Sequence, residues 1–493
     1  MISSKKRDTF NKLFYPESIA VIGVSTKGQG FGIMQLSALS RNGYRGKLYP
    51  VNPHGGEFFG LKTYPNVREI PENVDLAIIT VPAHVVPETL EDCLAKRIKV
   101  AEILSSGFSD NGEVGRRLEE QLVNIAAKGI RIVGPNCFGV HCPASGVSIP
   151  PGIAFTKESG TVGLIAQSGQ FSLSIVLQSQ GQGIRFSKII SYGNACDLNE
   201  ADFLEYLAED QDTKIIQVYN EGTKEGHRFL EIVRRTSKTK PVILLKAGLS
   251  RAGRRAASSH TGSLGGEKTV WNAFFKQSGA ISVDSLEDLI DATIAFKCGL
   301  RPHGPRVAIL SGGGGGSVIG ADLCERWELT SPVLSQETQA KLRPFFPSIG
   351  SSMKNPIDMA NPMPPPQLLR STLEILAMSG EIDSIVIRGI YLSANALSAT
   401  SDSPSLPEEY QRDLQETPIV TKERFAKPVI VVLEEEVTAS DMLEFEADRR
   451  KLRDYYLAHN IPVYSTLERA IRSLSHVVKH QEWVAAHCFS PSP

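Results

Sequence analysis

Ser18-Ile19-Ala20-Val21-Ile22-Gly23-Val24-Ser25 reads as an apolar strand that stops at a glycine. A glycine-punctuated stretch from Thr26 to Gly32 follows, then a helical pattern from about Ile33 to Ser40. Strand, loop and helix in this order aim backbone N–H groups at one point, which is how α/β folds receive phosphate. Further strands are expected at Gly46 to Pro53, Asp75 to Pro82, Val100 to Gly107 and Ile130 to Cys137, separated by helical patterns such as Glu113 to Lys128. This alternation predicts a doubly wound parallel sheet with its ligand at the carboxyl ends of the strands. Those ends carry Ser25, Pro82, Ser105, Ser106 and Asn136, small or polar residues suited to an elongated phosphate-bearing ligand. Gly23, Gly28, Gly30 and Gly32 are spaced too widely for the dinucleotide fingerprint. The second strand ends in Asn52-Pro53, without the acidic residue of an NAD site. A nicotinamide-dependent oxidoreductase therefore rests on this first region alone.

Residues 143–160 are rich in Pro and Gly and read as a linker. A second α/β unit begins at Thr161-Val162-Gly163-Leu164-Ile165-Ala166-Gln167-Ser168-Gly169-Gln170. It continues through a strand from Lys214 to Tyr219, ending at Asn220-Glu221-Gly222, and another from Lys240 to Leu245. A third unit repeats the second. Arg306 to Gly312 matches the strand into Ser168-Gly169, Asp383 to Gly389 the strand ending near Glu221, and Lys427-Pro428-Val429 the Lys240-Pro241-Val242 strand. Such internal repetition fixes architecture well. The expected division is 1–145, 146–300 and 301–485, with a mobile Ser/Pro-rich insertion from Ser398 to Glu408 and a disordered tail from Phe489.

The 493 residues exceed what one core holds, and 53 basic against 54 acidic residues exclude bulk-charge affinity for nucleic acid or membrane. The basic start, Met1 to Asp8, lacks an apolar core and is not expected to be a signal peptide; no apolar run suffices to cross a bilayer. Seven scattered cysteines fit reduced thiols in a cytoplasmic protein, and Cys137, His141 and Cys142 have no second ligand cluster, so no metal site is expected.

One histidine stands apart. His260 lies in Arg254-Arg255-Ala256-Ala257-Ser258-Ser259-His260-Thr261-Gly262, read as a loop after the Lys240 strand. Small neighbours leave it reachable by a large ligand, although a merely packed histidine fits the same pattern. Adjacent parallel strands would bring Glu221 near it. A carboxylate on one imidazole nitrogen fixes the tautomer and leaves the other nucleophilic. Ser168-Gly169, and Ser311 with Gly312 and Gly313, would each place free N–H groups at a helix N-terminus, a natural anion site. The bland alternatives are a surface carboxylate for Glu221 and tight turns for the glycines. Lys246, Arg254 and Arg255 are either charge for a phosphate or solvated basic residues.

Taken together, Ser259-His260-Thr261-Gly262, Lys240-Pro241-Val242, Glu221-Gly222, Gly134-Pro135-Asn136-Cys137-Phe138-Gly139 and Tyr49-Pro50-Val51-Asn52-Pro53 resemble the NDP-forming acyl-CoA synthetase superfamily. The resemblance runs over roughly residues 10–480 and is greatest to the alpha subunit of ADP-forming acetate–CoA ligase, with the succinyl-CoA synthetase alpha subunit more distant. It implies a Rossmann-like CoA-binding domain followed by two flavodoxin-like domains. It also implies an enzyme in which acyl-CoA and phosphate give acyl phosphate and CoA, His260 takes the phosphoryl group, and phosphohistidine passes it to ADP. In this resemblance Glu221 supports His260, while Ser168 and Gly169 hold phosphate. Gly23, Val24, Ser25, Lys47, Val81, Pro82, Ser105, Ser106 and Asn136 contact CoA. No ATP-grasp region or Walker motif is present, so ADP or ATP with Mg is expected on a separate ATP-grasp beta chain in a hetero-oligomer. A CoA-sensing protein that kept the fold without turnover is the alternative.

Overall fold

The computed structural model describes residues 2–25, 30–149, 155–261, 266–390, 408–434 and 443–488. Residues 26–29 of the first glycine stretch, the Ser398 segment up to residue 407, and the tail from Phe489 lie outside the described residues, as does the side chain of His260. The chain forms two compact units, Met1–Ile290 and Asp291–Pro493.

The first unit contains two main sheets. In the first, β1 (Ser18–Ile22) and β2 (Lys47–Val51) are followed by a small hairpin, β3 (Glu57–Phe58) with β4 (Leu61–Lys62). The sheet then continues with β5 (Leu76–Ile79), β6 (Val100–Ile103) and β7 (Arg131–Val133). The order is β2-β1-β5-β6-β7, all parallel. Set aside the hairpin and this is the doubly wound 2-1-3-4-5 order, whose switch point falls between β1 and β5. β8 (Gly139–His141), β9 (Val162–Ala166), β10 (Phe186–Ser191), β11 (Ile215–Asn220), β12 (Val242–Lys246) and β13 (Ile281–Val283) form the second sheet, ordered β13-β12-β11-β9-β10-β8. Only β8 runs antiparallel, on the outer edge of β10. The remaining five strands repeat the 2-1-3-4-5 order.

The second unit builds its sheet from β14 (Val307–Ser311), β15 (Ile357–Asp358), β16 (Ser384–Arg388), β17 (Val429–Val432) and β18 (Val463–Tyr464). Its order, β15-β14-β16-β17-β18, is again 2-1-3-4-5 and parallel throughout. β1, β9, β12 and β14 are buried at every position, as strands covered by helices on both faces must be. The expected α/β architecture, a Rossmann-like region followed by two flavodoxin-like ones, is the one observed.

Within the first unit the two sheets are tied by specific contacts. The leading helix Ser4–Phe14 stacks Phe10 and Phe14 on Tyr206 at centroid separations of 4.7 and 5.1 Å. Arg131 at the start of β7 makes a bidentate pair with Asp197, its Nε and Nη2 donating at 2.8 and 2.9 Å. Asp197 also accepts from Ile132 N at 2.8 Å. Gly193, in the left-handed region at φ +57°, lets the backbone ride over the turn at 135–136. A β-carbon there would sit 2.2 Å from the Pro135 carbonyl oxygen, so no larger residue fits.

One expectation changes. The stretch after β12, read as a loop, is helical over Arg251–Thr261. The reason is local: Ala252, Ala256, Ala257 and the arginines are good helix formers, and Ser250 Oγ accepts from Gly253 N at 2.9 Å at the start. His260 is on the last turn of that helix.

Candidate functional site

The carboxyl edge of the first sheet is built around Gly23. Gly23 leaves β1 at φ +98°, and a β-carbon there would meet Thr80 Oγ1 at 2.7 Å. Gly32, in the first turn of the helix Phe31–Arg41, would bring a β-carbon within 2.6 Å of the Gly23 carbonyl oxygen. The glycines therefore let helix, β1 and the end of β5 close on one another. Asn52 at the end of β2 donates its side-chain amide to the Val24 carbonyl. Ser25 is half-buried beside them. From the next strands, Ser105 Oγ donates to the Val81 carbonyl at 2.5 Å, and Asn136 N donates to the Ser105 carbonyl at 2.9 Å. Asn136 holds a left-handed φ of +57°, while Pro82 and Ser106 are exposed next to the half-buried Val81 and Ser105. A cavity of about 230 Å³ opens here, lined by Gly23, Val51, Pro53, Val67, Val81 and Val85 among others. Among the sequence-derived CoA residues, eight gather along this edge.

Lys47 does not. It is the first residue of β2, in register with Ser18 at the start of β1, and so stands at the amino edge of the sheet. Its ammonium pairs with Glu72, and the side chain is largely solvent-exposed. Chain direction alone separates it from Gly23 and Val81 by the length of the strand.

In the second sheet, Ser168 caps the helix Gly169–Gly181, its Oγ accepting from Phe171 N at 3.3 Å. Register places Tyr219 beside Ala166, so Glu221 emerges next to Ser168 at the switch point between β9 and β11. Glu221 is buried, at 5 % exposure, and its Oε1 accepts from Tyr219 OH at 3.1 Å. Gln167, also buried, fixes the turn from below: its Oε1 accepts from Glu221 N at 2.9 Å and from Gly222 N at 3.2 Å. Lys246, closing β12, donates to the Glu221 carbonyl at 2.7 Å and lies 4.9 Å from the Trp271 ring centroid. Burial brings its ammonium down to about 8, partly opposed by the Glu221 charge.

The helix bearing His260 is seated on the same turn. Gly248, at φ +78°, would place a β-carbon 3.4 Å from Ala257 Cβ and 3.8 Å from the Glu221 carbonyl oxygen. Ala257 is three residues before His260, about 4.5 Å of helical rise. The helix also approaches the Ser109–Asn111 turn beyond β6, so it lies between the two sheets' carboxyl edges. Arg254 reaches Glu267 at 3.6 Å.

The third sheet presents its own glycine-started helix, Gly314–Arg326, with Gly313 at the N-cap and no side-chain cap. Ser311 Oγ donates to the Gly313 carbonyl at 2.7 Å, and Gly312 packs so tightly that a β-carbon would meet the Gly389 carbonyl oxygen at 2.1 Å. Arg388 lies over Gly316 in the first turn, and its Nε donates to Glu434 at 2.8 Å.

Comparison with known proteins gives the family. A CoA binding domain family matches residues 17–143, and a succinyl-CoA ligase-like flavodoxin domain family matches residues 159–296. The chain is 36 % identical, over 96 % of its own length and 98 % of the relative's, to the alpha subunit of ADP-forming acetate–CoA ligase I of Pyrococcus furiosus. The chain belongs to the NDP-forming acyl-CoA synthetase superfamily. It is also 40 % identical over 76 % of its length to the ADP-forming acetate–CoA ligase I of Archaeoglobus fulgidus, of which it spans only 54 %. The acetyl-coenzyme A synthetase 1 of Ca. Korarchaeum cryptofilum, solved with phosphate and ADP, superposes with a TM-score of 0.81 at 29 % identity, covering 99 % of this chain and 100 % of that one.

Within this synthetase-family chain, three residues escaped the sequence reading of the site or were left undecided. Asn52 carried a signal, since a polar residue ends a strand at the ligand edge. Gln167 carried one too, standing between an apolar strand and a helix cap. Lys246 reads from sequence as either a phosphate contact or a solvated cation; at 5 % exposure it is neither solvated nor free, because it donates hydrogen bonds to two backbone carbonyls, those of Glu221 and Ala247.

Proposed function

We propose that this chain is the alpha-type subunit of an NDP-forming acyl-CoA synthetase, interconverting acyl-CoA, ADP and phosphate with a carboxylic acid, CoA and ATP. The observation that carries the reading is the convergence on one turn of a Ser168-capped helix N-terminus, the buried Glu221 carboxylate and the helix that bears His260. Gly23, Val24, Ser25, Val81, Pro82, Ser105, Ser106 and Asn136 take CoA along the first sheet's edge; Lys47 is left out. Residues 1–145 are the CoA-binding domain, 146–300 the domain of the phosphohistidine, and 301–485 a second ligase domain.

The chemistry follows in balanced steps. A phosphate oxygen attacks the thioester carbonyl carbon; the new C–O bond forms, the C–S bond breaks, and the CoA thiolate takes a proton. The imidazole of His260 then attacks phosphorus, the P–O bond to the acyl group breaks, and the carboxylate leaves. Glu221 accepts the imidazole's other N–H, which stabilises the positive charge on the ring as the N–P bond forms. Backbone N–H groups at Ser168 and Gly169 hold the phosphoryl oxygens with the partial positive charge of a helix start. Ser311, Gly312 and Gly313 offer a second such terminus. ADP, with its Mg, binds an ATP-grasp beta chain that takes the phosphoryl group, and the pair works as a cytoplasmic hetero-oligomer.

The test is direct. Acyl-CoA with radiolabelled phosphate should yield an acid-labile, base-stable phosphoprotein in the intact chain and none in His260→Ala. Equal labelling of that variant would overturn the assignment.

A further inference from the structure

Between the two carboxyl edges runs a line of aromatic rings that the reaction itself does not call for. Phe31, the first residue of its helix and half exposed, lies 6.3 Å from Phe138. The Phe138 ring lies against the α-carbon of Gly169: a β-carbon there would meet three ring atoms at 3.0 to 3.2 Å. Beyond Gly169, Phe171 lies 4.4 Å from Tyr219, whose hydroxyl donates to Glu221. Phe138 cannot drift, because its backbone N donates to Ser191 Oγ at 3.1 Å and β8 starts at the next residue.

From this geometry we propose that Phe138 is the residue that sets the size of the acyl group, with Phe31 as a secondary wall. The proposal rests on the function given above. Phosphate held at Ser168 and Gly169 must approach the thioester carbon to about 3–3.5 Å for attack. The thioester enters from the first sheet's edge, so the acyl group falls between that edge and Gly169, where the Phe138 ring already stands. Gly169 completes the fit, since any side chain there would push the ring aside.

The experiment uses the full-length chain with inorganic phosphate, and reads release of the CoA thiol in a single turnover from acetyl-CoA and from phenylacetyl-CoA. Phe138→Ala should raise the rate for phenylacetyl-CoA relative to acetyl-CoA by at least about tenfold, the scale on which pockets discriminate by a few carbons. Phe138→Leu, which retains most of the packing, should shift the ratio less in the same direction. Phe31→Ala, at a half-exposed position that leaves the core intact, should shift it least. An unchanged ratio in all three, with both thioesters slowed alike, would overturn the proposal and reduce Phe138 to a packing residue. A wild-type chain that released no thiol from either thioester would instead sink the reading of function beneath it.

Discussion

The second and third sheets are two versions of one design, and they differ at the four positions where chemistry would be done. Both are ordered 2-1-3-4-5, and in both the first strand runs into a thirteen-residue helix, Gly169–Gly181 in one and Gly314–Arg326 in the other. Both carry a Lys-Pro pair at the foot of the fourth strand, and each lysine caps backbone oxygens. Lys240 donates to the Leu207 and Asp210 carbonyls at 2.8 and 2.7 Å, and Lys427 to that of Ile382 at 2.6 Å. Strand register aligns the rest. Ala166 faces Tyr219 as Ser311 faces Arg388, and Tyr219 faces Leu245 as Arg388 faces Val432. It follows that Ser168 corresponds to Gly313, Tyr219 to Arg388, Glu221 to Ile390 and Lys246 to Leu433. The second sheet spends buried polar groups at its carboxyl edge, whereas the third fills the same places with apolar residues, bare backbone and one cation. Burying a polar group is costly without a partner; Glu221 and Lys246, the two that are buried here, each have one, while Ser168 and Tyr219 are half-buried.

The sharpest way to break this comparison is to remove the carboxylate. Glu221→Gln keeps the shape and the Tyr219 contact but takes away the charge that stabilises an imidazolium. Phosphoenzyme formation should fall on the order of 10²-fold or more, read as the rate of label incorporation at His260. The counterpart, Ile390→Ala, should leave that rate within a factor of about two and instead lower stability by about 2–4 kcal/mol, because it empties a core site. Equal kinetic losses in both would show that the two edges are not functionally different.

Next comes Lys246→Leu, which installs the third sheet's residue. The ammonium now reaches two backbone oxygens, and its removal leaves the Glu221 carbonyl without that donor, so phosphoenzyme formation should drop about tenfold. Its effect on stability depends on pH. Burial lowers the folded-state pKa to about 8 from 10.5, so between those values the unfolded chain holds a proton that the folded chain does not. Stability of the wild type should therefore rise from pH 8 to 10.5, by on the order of 1–3 kcal/mol. Denaturant unfolding of Lys246→Leu should lack that rise. A parallel pH curve in the variant would mean that the lysine is as charged in the fold as out of it.

Much of this contrast was legible in the sequence, for reasons that can be named. Continuous apolar strands ending in Gly, Ser or Asn marked both the parallel sheets and their ligand edges, and the repeated Lys-Pro-Val run marked the duplication. What did not show was whatever depends on neighbours distant in the chain. Gly139–His141 read as part of a glycine motif, and nothing local says it would cross to the second sheet as an antiparallel edge strand. The burial of Lys246 requires Trp271 and the Glu221 carbonyl to come together, which only the folded sheet does. Lys47, grouped with the CoA residues by resemblance, stands at the head of its strand, at the end of the sheet away from Gly23 and Val81. The helix around His260 was hidden by glycines that follow it, which argued for a loop more strongly than the alanines before it argued for a helix.

A smaller effect is expected at Arg388, where the third sheet carries its cation. Its side chain is 26 % exposed and Glu434 is 31 % exposed, so the pair is partly screened and should contribute no more than about 1 kcal/mol. Arg388→Ala should lower the chemical unfolding midpoint only slightly. A loss several times larger would mean that the guanidinium braces the turn over Gly316 and is not merely an available charge.

The gentlest test exchanges the two helix caps. Ser168→Gly gives the second sheet the third sheet's uncapped start and should cost only a few tenths of a kcal/mol, since glycine is a fair N-cap. The reverse change, Gly313→Ser, has room to succeed. Gly313 holds an extended φ of −166°, which any residue adopts, and no atom lies within 4 Å of where its β-carbon would be. A serine there should gain a similar few tenths through capping, with a further contribution from the reduced freedom of the unfolded chain. Because the two changes are opposite in sign for stability, they separate stability from function: if Ser168 matters only as a cap, both variants should label His260 at the wild-type rate. If its hydroxyl also touches the phosphoryl group, Ser168→Gly alone should slow labelling, by more than its small loss of stability can explain.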